Sequence, residues 1–303
     1  MNKTSKIMAL KRENENYTNR EIAIIVGCSR RMVRYVLNTS GEFEKKTPNI
    51  LIYDIETAPM EVYVWGLYKQ RIPTQNVIKD WSMLSWSAKW LFNDQIMSQR
   101  VSGKEAVQRD DVSILPGLWR LLDEADIVIG HNVQKFDNRK ANLRFALAGM
   151  KPPMPYRSID TMKHAMKVFA SSSYKMDYLN KIFGNNAKIG TTYQLWVDAV
   201  HGDEKALDKM EIYNRFDVTV TEELYLKLRP WMRSHPNYAL FIDTDDTICT
   251  NCGNTDLSWG GFYYTPAGKY KAFRCNSCGA VGRSRFSDLT KDERKKLLLS
   301  IAS

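Results

Sequence analysis

The 303-residue sequence has no apolar run long enough to span a bilayer. Its first residues, MNKTSKIMALKREN, carry no signal-peptide hydrophobic segment. Both absences predict a soluble, cytoplasmic chain with no membrane partner. Cysteine is scarce: there are 5, of which Cys28 stands alone and four form two C-x-x-C pairs. That count excludes a disulfide framework and points to metal binding in a reducing compartment. Disorder is excluded too, since 44% hydrophobic and 26% charged residues are ordinary globular values.

What is present is an uneven charge. Residues 1–46 hold 10 Lys/Arg against 5 Asp/Glu, and residues 247–303 hold 9 against 4. The middle holds 25 of each, so the net +10 sits at the two ends. Such a distribution suits a polyanion held at both ends.

The sequence is organised around Asn49–Thr57. Ile50, Leu51, Ile52, Tyr53 and Ile55 are apolar on both alternating faces, the pattern of a central strand covered on both sides. Asp54 and Glu56 interrupt it two residues apart and so point the same way. Adjacent carboxylates at the end of a buried strand repel each other and lose hydration, which raises their pKa values unless a cation offsets the charge. Mg²⁺ or Mn²⁺ suits such an oxygen site. A strand running out into solvent with two surface acids is the alternative.

Before this strand, Thr18-Asn-Arg-Glu21 reads as a capping box opening a helix to about Val26. Gly27-Cys28-Ser29 reads as a turn, with Ser29 capping a second helix from Arg30 to Leu37 and Cys28 a small buried residue of that turn. Lys6–Glu13 is the expected first helix. Ile22, Ala23, Val26, Val33, Val36 and Leu37 face inward, while Arg30, Arg31 and Arg34 project outward. Together these resemble a helix-turn-helix with a basic second helix, or a helical hairpin used only for packing. Residues 1–40 form this module and 41–48 a linker.

After the strand, Val62–Leu67, Leu84–Trp90 and Gln95–Val101 read as strands, followed by a helix at Leu115–Glu124 and a strand at Ile127–Ile129. A helix from Phe136-Asp137 runs through Leu143 and Leu147 to Gly149, and further helices are expected at Thr161–Ala170, Met176–Phe183 and Thr192–Ala199. The order predicts an α/β fold, a mixed sheet flanked by helices. In the last long helix, Met210, Tyr213, Asp217, Val220, Leu224 and Leu228 share one stripe. Asp217 takes a slot that packing would give to an apolar side chain, with Tyr213 one turn before it. A buried carboxylate there needs something cationic.

These residues carry a resemblance. Tyr53-Asp54-Ile-Glu56-Thr57, Asn132-Val-Gln-Lys-Phe136-Asp137 and Tyr213-Asn-Arg-Phe-Asp217 resemble, in order, the three motifs of the DEDD 3′–5′ exonucleases of the ribonuclease H-like superfamily. The forms are those of family B DNA polymerase proofreading domains, and the third defines the tyrosine-type branch. The histidine-type branch places a His five residues before the last Asp, where this sequence has Ile212. The resemblance covers roughly residues 48–234, within a domain at 49–242. It implies that Asp54, Glu56, Asp137 and Asp217 hold two Mg²⁺ or Mn²⁺ ions, with Asp54 bridging, Glu56 and Asp217 on the nucleophile side and Asp137 reaching the second ion through water. It further implies that Tyr213 hydrogen-bonds the attacking water or the scissile phosphate, and that Thr57, Asn132 and Phe136 contact substrate. His131, Asp160 and Asp177 read as scaffold, cap or surface residues. Lys135, Arg139, Lys140 and Lys188 meet either phosphate or solvent.

Beyond the polar stretch at Asp243–Asp246, Cys249-x-x-Cys252 and Cys275-x-x-Cys278 are separated by 22 residues. This spacing predicts a zinc ribbon at 243–286 with one structural Zn²⁺ in a Cys₄ site. Trp259, Phe262, Tyr263, Tyr264, Tyr270 and Phe273 alternate with Lys269, Lys271 and Arg274. They either stack on a single strand of nucleic acid or fill the ribbon's small core. Residues 287–303 are expected to hold an amphipathic helix at Asp288–Leu299.

The reading that unites these features is a two-metal 3′–5′ exonuclease acting on DNA, or on RNA, in replication, repair or proofreading of a phage type. A separate polymerase or replication protein would then be its partner. The alternatives are a helix-turn-helix transposase or integrase, and a non-catalytic DNA-binding regulator.

Overall fold

The computed structural model describes residues 2–14, 17, 19–39, 47–186, 190–242 and 246–299. By contacts the chain divides into two compact units, Asn49–Lys227 and a second made of Met1–Pro48 with Leu228–Ser303.

In the second unit, the N-terminal part holds α1 (Lys3–Glu13), α2 (Asn19–Val26) and α3 (Arg30–Thr39). Ile7, Ile22, Ala23, Val33, Val36 and Leu37 meet in a small core, with Val26 and Cys28 half-buried against it. Ser29 Oγ accepts the Met32 N–H at 3.1 Å, the N-cap that the sequence predicts. Thr18, the other predicted cap, lies outside the described residues.

The Asn49–Lys227 unit is built on β1 (Ile50–Thr57), the middle of a five-stranded sheet. Following it come β2 (Glu61–Val62), β3 (Val77–Lys79), β4 (Met83–Trp90), β5 (Ile96–Arg100), α4 (Gly103–Gln108), α5 (Leu115–Glu124), β6 (Ile127–Gly130), α6 (Asp137–Leu147), β7 (Arg157–Asp160), α7 (Thr161–Val168), α8 (Met176–Phe183), α9 (Tyr193–Val200) and α10 (Glu204–Leu228). The sheet order is β5-β4-β1-β6-β7, with β1 antiparallel to β4 and parallel to β6. Ile50, Leu51, Ile52, Tyr53 and Ile55 are all buried, as a central strand requires. The stripe on α10 is equally complete: Met210, Tyr213, Asp217, Val220, Leu224 and Leu228 are each no more than 5% exposed. The architecture is therefore a mixed sheet flanked by helices.

The strand expected at Val62–Leu67 is not formed beyond Val62. Its ribbon pairs only Glu61 with Lys79 and Val62 with Val77. From Tyr63 onward the chain projects outward, and Trp65, Leu67 and Tyr68 are exposed. A β-prone composition without a partner strand does not make a strand. Three short elements of this unit escaped sequence pattern altogether, β3, α4 and the edge strand β7, whose Arg157-Ser-Ile-Asp160 is too short and polar to read as a strand.

The C-terminal part of the second unit contains β8 (Leu257–Thr265), β9 (Gly268–Cys275) and β10 (Val281–Arg283) in the order β10-β9-β8, then α11 (Lys291–Lys295). The helix expected over Asp288–Leu299 shrinks to α11, closed at its start by a Thr290–Glu293 capping box. Its apolar residues, Leu297–Leu299, are consecutive and exposed, so they cannot line one helical face.

One ion pair in the larger unit was not foreseen. Asp111, with no exposed surface, accepts from Arg144 Nε at 2.6 Å and Nη2 at 2.7 Å, and from the Met83 N–H at 2.8 Å. This fork ties α6 to the start of β4. Asp111→Ala strands the Arg144 guanidinium in a partly buried site, so urea denaturation should show a loss of about 3–5 kcal/mol.

Candidate active site

Asp54 and Glu56 leave β1 on one face, opposite Ser87 and Ser85 of β4. Those serines are buried and small, and their hydroxyls have no hydrogen-bond partner among the described residues. Toward this face α10 presents Tyr213, Asn214 and Asp217. Carboxylate oxygens of Asp54, Glu56 and Asp217 lie within 4.8 Å of one another. Side chains separated by as many as 163 positions thus converge, and the converging set has the chemistry of a divalent-cation site. Asn214, fully buried, donates from Nδ2 to Asp54 Oδ2 at 2.7 Å and fixes that carboxylate's orientation.

The three acids open into a cleft of about 650 Å³ that Tyr213, Trp196, His131, Asn132, Phe136, Met162 and Asp177 also line. Tyr213 is 5% exposed and meets the Trp196 ring edge-on, with centroids 6.0 Å apart. Asn132 adopts a left-handed φ of 63°, a conformation that Asn tolerates better than most residues. Asp160 holds it there. The Asp160 carboxylate accepts the Asn132 N–H at 3.0 Å, the Gln134 N–H at 3.3 Å and the Lys163 N–H at 3.2 Å, so it caps α7 as expected while clamping the loop after β6. His131 is a scaffold residue, its Nδ1 2.9 Å from Thr161 Oγ1 and its Nε2 2.9 Å from the Tyr174 carbonyl.

Asp137 stands apart from the group of three. It is 2% exposed, and its Oδ1 accepts the Ile55 N–H at 3.2 Å. Burial is the main cause that pushes its carboxyl from an ordinary 3.8 up to about 7, against the pull of backbone N–H donors. Tyr53 helps set α6 in place, since its hydroxyl donates to Asn138 Oδ1 at 2.7 Å.

Thr57 faces a second cavity of about 500 Å³, which Trp81, Lys140, Tyr193 and Trp196 line as well. Lys140 Nζ sits 3.7 Å from the Trp81 ring centre and donates to Thr57 Oγ1 at 3.4 Å, and burial lowers its pKa. Lys135 and Arg139 are exposed. Lys188 and the side chains of Arg31 and Arg34 lie outside the described residues, and Arg30 is half-buried.

The family model RNase_H_2, described as the RNase_H superfamily, matches residues 51–229. The chain belongs to the RNase H superfamily. No curated protein matches it. Among solved structures it is similar to the family B DNA polymerase from the hyperthermophilic archaeon Pyrobaculum calidifontis, at 16% identity and a TM-score of 0.45, covering 61% of this chain and 25% of the polymerase. The superfamily fold together with the acidic cluster supports a nuclease that hydrolyses phosphodiester bonds.

The second metal-ligating group is the cysteine cluster. Cys249, Cys252, Cys275 and Cys278 bring their sulfurs within 4.8 Å of one another, with the Cys249–Cys278 and Cys252–Cys275 pairs at 3.6 Å. Tetrahedral zinc with bonds of about 2.3 Å separates its sulfurs by about 3.8 Å, so the thiols fit that ion. Both knuckles repeat one backbone pattern: the Gly253 N–H donates to the Cys249 carbonyl and the Gly279 N–H to the Cys275 carbonyl, each at 2.9 Å. The cluster fits a zinc ribbon.

Sequence reasoning missed Asn214, Asp160 as a clamp, and Ser85 and Ser87. Asn214 could have been found, for it falls three residues before Asp217 on α10 and so shares its side of the helix. Asn214→Ala should weaken Mn²⁺ binding by roughly tenfold in calorimetry, the scale for a lost orienting partner. The raised Asp137 carboxyl gives a pH signature. Its folded value lies above its unfolded one, so its contribution favours folding at low pH and is lost as pH rises through about 7. In metal-free buffer the melting temperature should fall as the pH rises from about 4 to about 7 and level off above that, and Asp137→Asn should remove that fall.

Proposed function

We propose that the protein is a metal-dependent 3′–5′ exonuclease that removes nucleotides from the 3′ end of DNA, with RNA as the alternative substrate. The observation that carries this reading is the convergence of Asp54, Glu56 and Asp217 within 4.8 Å of one another, in a cleft shared with Tyr213. Asp54, Glu56 and Asp217 would hold divalent ions, with Asp137 reaching a second ion through water. When bound, two such ions lower the pKa of a water and stabilise the attacking and leaving oxygens of an in-line displacement.

The chain's own residues supply position. Asn214 holds Asp54, and the Tyr213 phenol hydrogen-bonds the attacking water or the scissile phosphate. Asn132 and Phe136, at the cleft wall, contact the terminal nucleotides. The water oxygen bonds to phosphorus, the bond from phosphorus to the 3′ oxygen breaks, and that oxygen takes up a proton. The products are a nucleoside 5′-monophosphate and a chain one nucleotide shorter. The 3′–5′ direction rests on Tyr213-x-x-x-Asp217, and the acids' convergence speaks against a non-catalytic regulator.

The organisation that goes with this reading has five parts: a helix-turn-helix at 1–40, a linker at 41–48, the nuclease domain at 49–242, a zinc ribbon at 243–286 and a C-terminal helix at 287–303. Arg30, Arg31 and Arg34 on α3 would contact phosphates. A cytoplasmic replication or proofreading role beside a separate polymerase, of a phage type, follows from that arrangement.

With 5′-labelled single-stranded DNA and Mg²⁺ or Mn²⁺, the expected product is a descending ladder of labelled fragments. Intact label with both metals rejects the proposal. Asp54→Ala should reduce the rate by at least about a thousandfold while DNA affinity in Ca²⁺ changes less than about threefold. Atomic absorption should find about one zinc per chain, and a zinc-free folded protein would remove the ribbon's metal.

A further inference from the structure

The ribbon's aromatic residues divide between core and surface. Phe273 is buried in the small cluster that contains Cys249, Cys275, Cys278 and Ala280. Trp259, Phe262, Tyr263 and Tyr264 are not: they are 47%, 42%, 52% and 66% exposed. Filling the core therefore explains only one of these five rings. Strand β8, which carries the exposed four, is an edge of its sheet.

Register decides which of them act together. Trp259 pairs with Phe273, Phe262 with Lys271, and Tyr264 with Lys269. Cross-strand partners share a face, and Lys269, Lys271 and Phe273 alternate along one face of β9, so Trp259, Phe262 and Tyr264 lie on that face too. Without an irregularity, Trp259 and Phe262 would point to opposite sides, because they are three positions apart. A bulge between them restores the phase. Gly261 supplies it with φ of 71°, where a Cβ would meet no neighbour but the backbone favours glycine. Tyr263 pairs with Tyr270 on the other face, beside the Arg283 guanidinium.

The shared face is cationic as well as aromatic. Lys269 Nζ lies 3.9 Å from the Phe262 ring centre, and the Phe262 and Tyr264 rings are 6.4 Å apart. From residue 257 to 287 the sequence has five Lys or Arg and no Asp or Glu. Acids near the face include Asp288, 3.9 Å from Lys271, and Glu293, whose carboxylate is held low by the Thr290 N–H and hydroxyl and to a smaller extent by Lys269. Zinc held by four thiolates would add a net charge of −2, but at the knuckle end, where Cys275 pairs with Leu257.

We infer that the Trp259–Phe262–Tyr264 face, with Lys269 and Lys271, is a binding surface for single-stranded nucleic acid. Bases stack on rings of any partner sequence, and the lysines neutralise phosphates, so the surface is sequence-tolerant and salt-sensitive. A protein partner of similar apolar area would not need an acid-free segment. The inference rests on the nuclease reading only for the kind of polymer, and its test is separable from that reading.

The test is fluorescence anisotropy with full-length protein in Ca²⁺, using labelled oligothymidylate and oligouridylate of roughly 30 nucleotides, longer than one site. The Trp259→Ala/Phe262→Ala/Tyr264→Ala variant should bind at least about tenfold more weakly, whereas Tyr263→Ala, on the opposite face, should bind as the parent does. Hydrolysis of a labelled trinucleotide in Mg²⁺ should be the same for parent and triple variant. Parent-like affinity in a triple variant that retains its zinc overturns the inference, as does an equal loss in Tyr263→Ala. If the triple variant loses zinc, Lys269→Glu/Lys271→Glu replaces it and must both weaken binding and flatten the salt dependence. A parent that binds the oligonucleotides but never hydrolyses the trinucleotide defeats the nuclease reading alone.

Discussion

Mutual repulsion among three carboxylates is the constraint around which the larger unit is arranged. Asp54, Glu56 and Asp217 bring oxygens within 4.8 Å of one another, and Asp217 is almost wholly buried. Such an arrangement opposes folding unless rigid neighbours impose it. The rigidity comes from β1, clamped between β4 and β6, and from α10, whose apolar stripe fastens it over much of its length. Asn214 adds a donor to Asp54, and the small side chains of Ser85 and Ser87 keep bulk off the shared face. A divalent cation would offset the charge that these oxygens bring together, and three converging carboxylates are the donor set of a metal centre.

Much of this was legible in the sequence, for identifiable reasons. A strand that is apolar on both alternating faces can only be central, and Asp54 and Glu56 are visible as interruptions of it. On α10, Asp217 stands out because helical periodicity assigns its slot to the core. The acids that converge come from two such strongly patterned elements. Asp137, from the start of α6, was grouped with them by resemblance but lies against the backbone of β1, outside the group of three.

What stayed hidden was decided by partners distant in sequence. Only its spacing from Asp217 hints at Asn214, and nothing local marks Asp160 as a clamp, since each acts on a strand or loop far along the chain. The Tyr63–Tyr68 segment misled in the opposite direction. Its residues favour strands, yet no strand lies beside it, so local preference has nothing to pair with. The ribbon's rings were ambiguous for a different reason: alternation alone cannot say where a bulge resets the phase, and the Gly260-Gly261 bulge determines which rings act together.

The clamp made by Asp160 has a consequence for how the cleft tolerates change. One carboxylate both starts α7 and holds Asn132 in its left-handed backbone, so helix and cleft wall cannot drift independently. At position 132 a β-branched side chain would be sterically excluded, leaving Gly and Asp as the nearest substitutes. Natural variation at this wall should therefore come in linked steps, with position 160 constrained by position 132 although Asp160 is not among the residues lining the cleft.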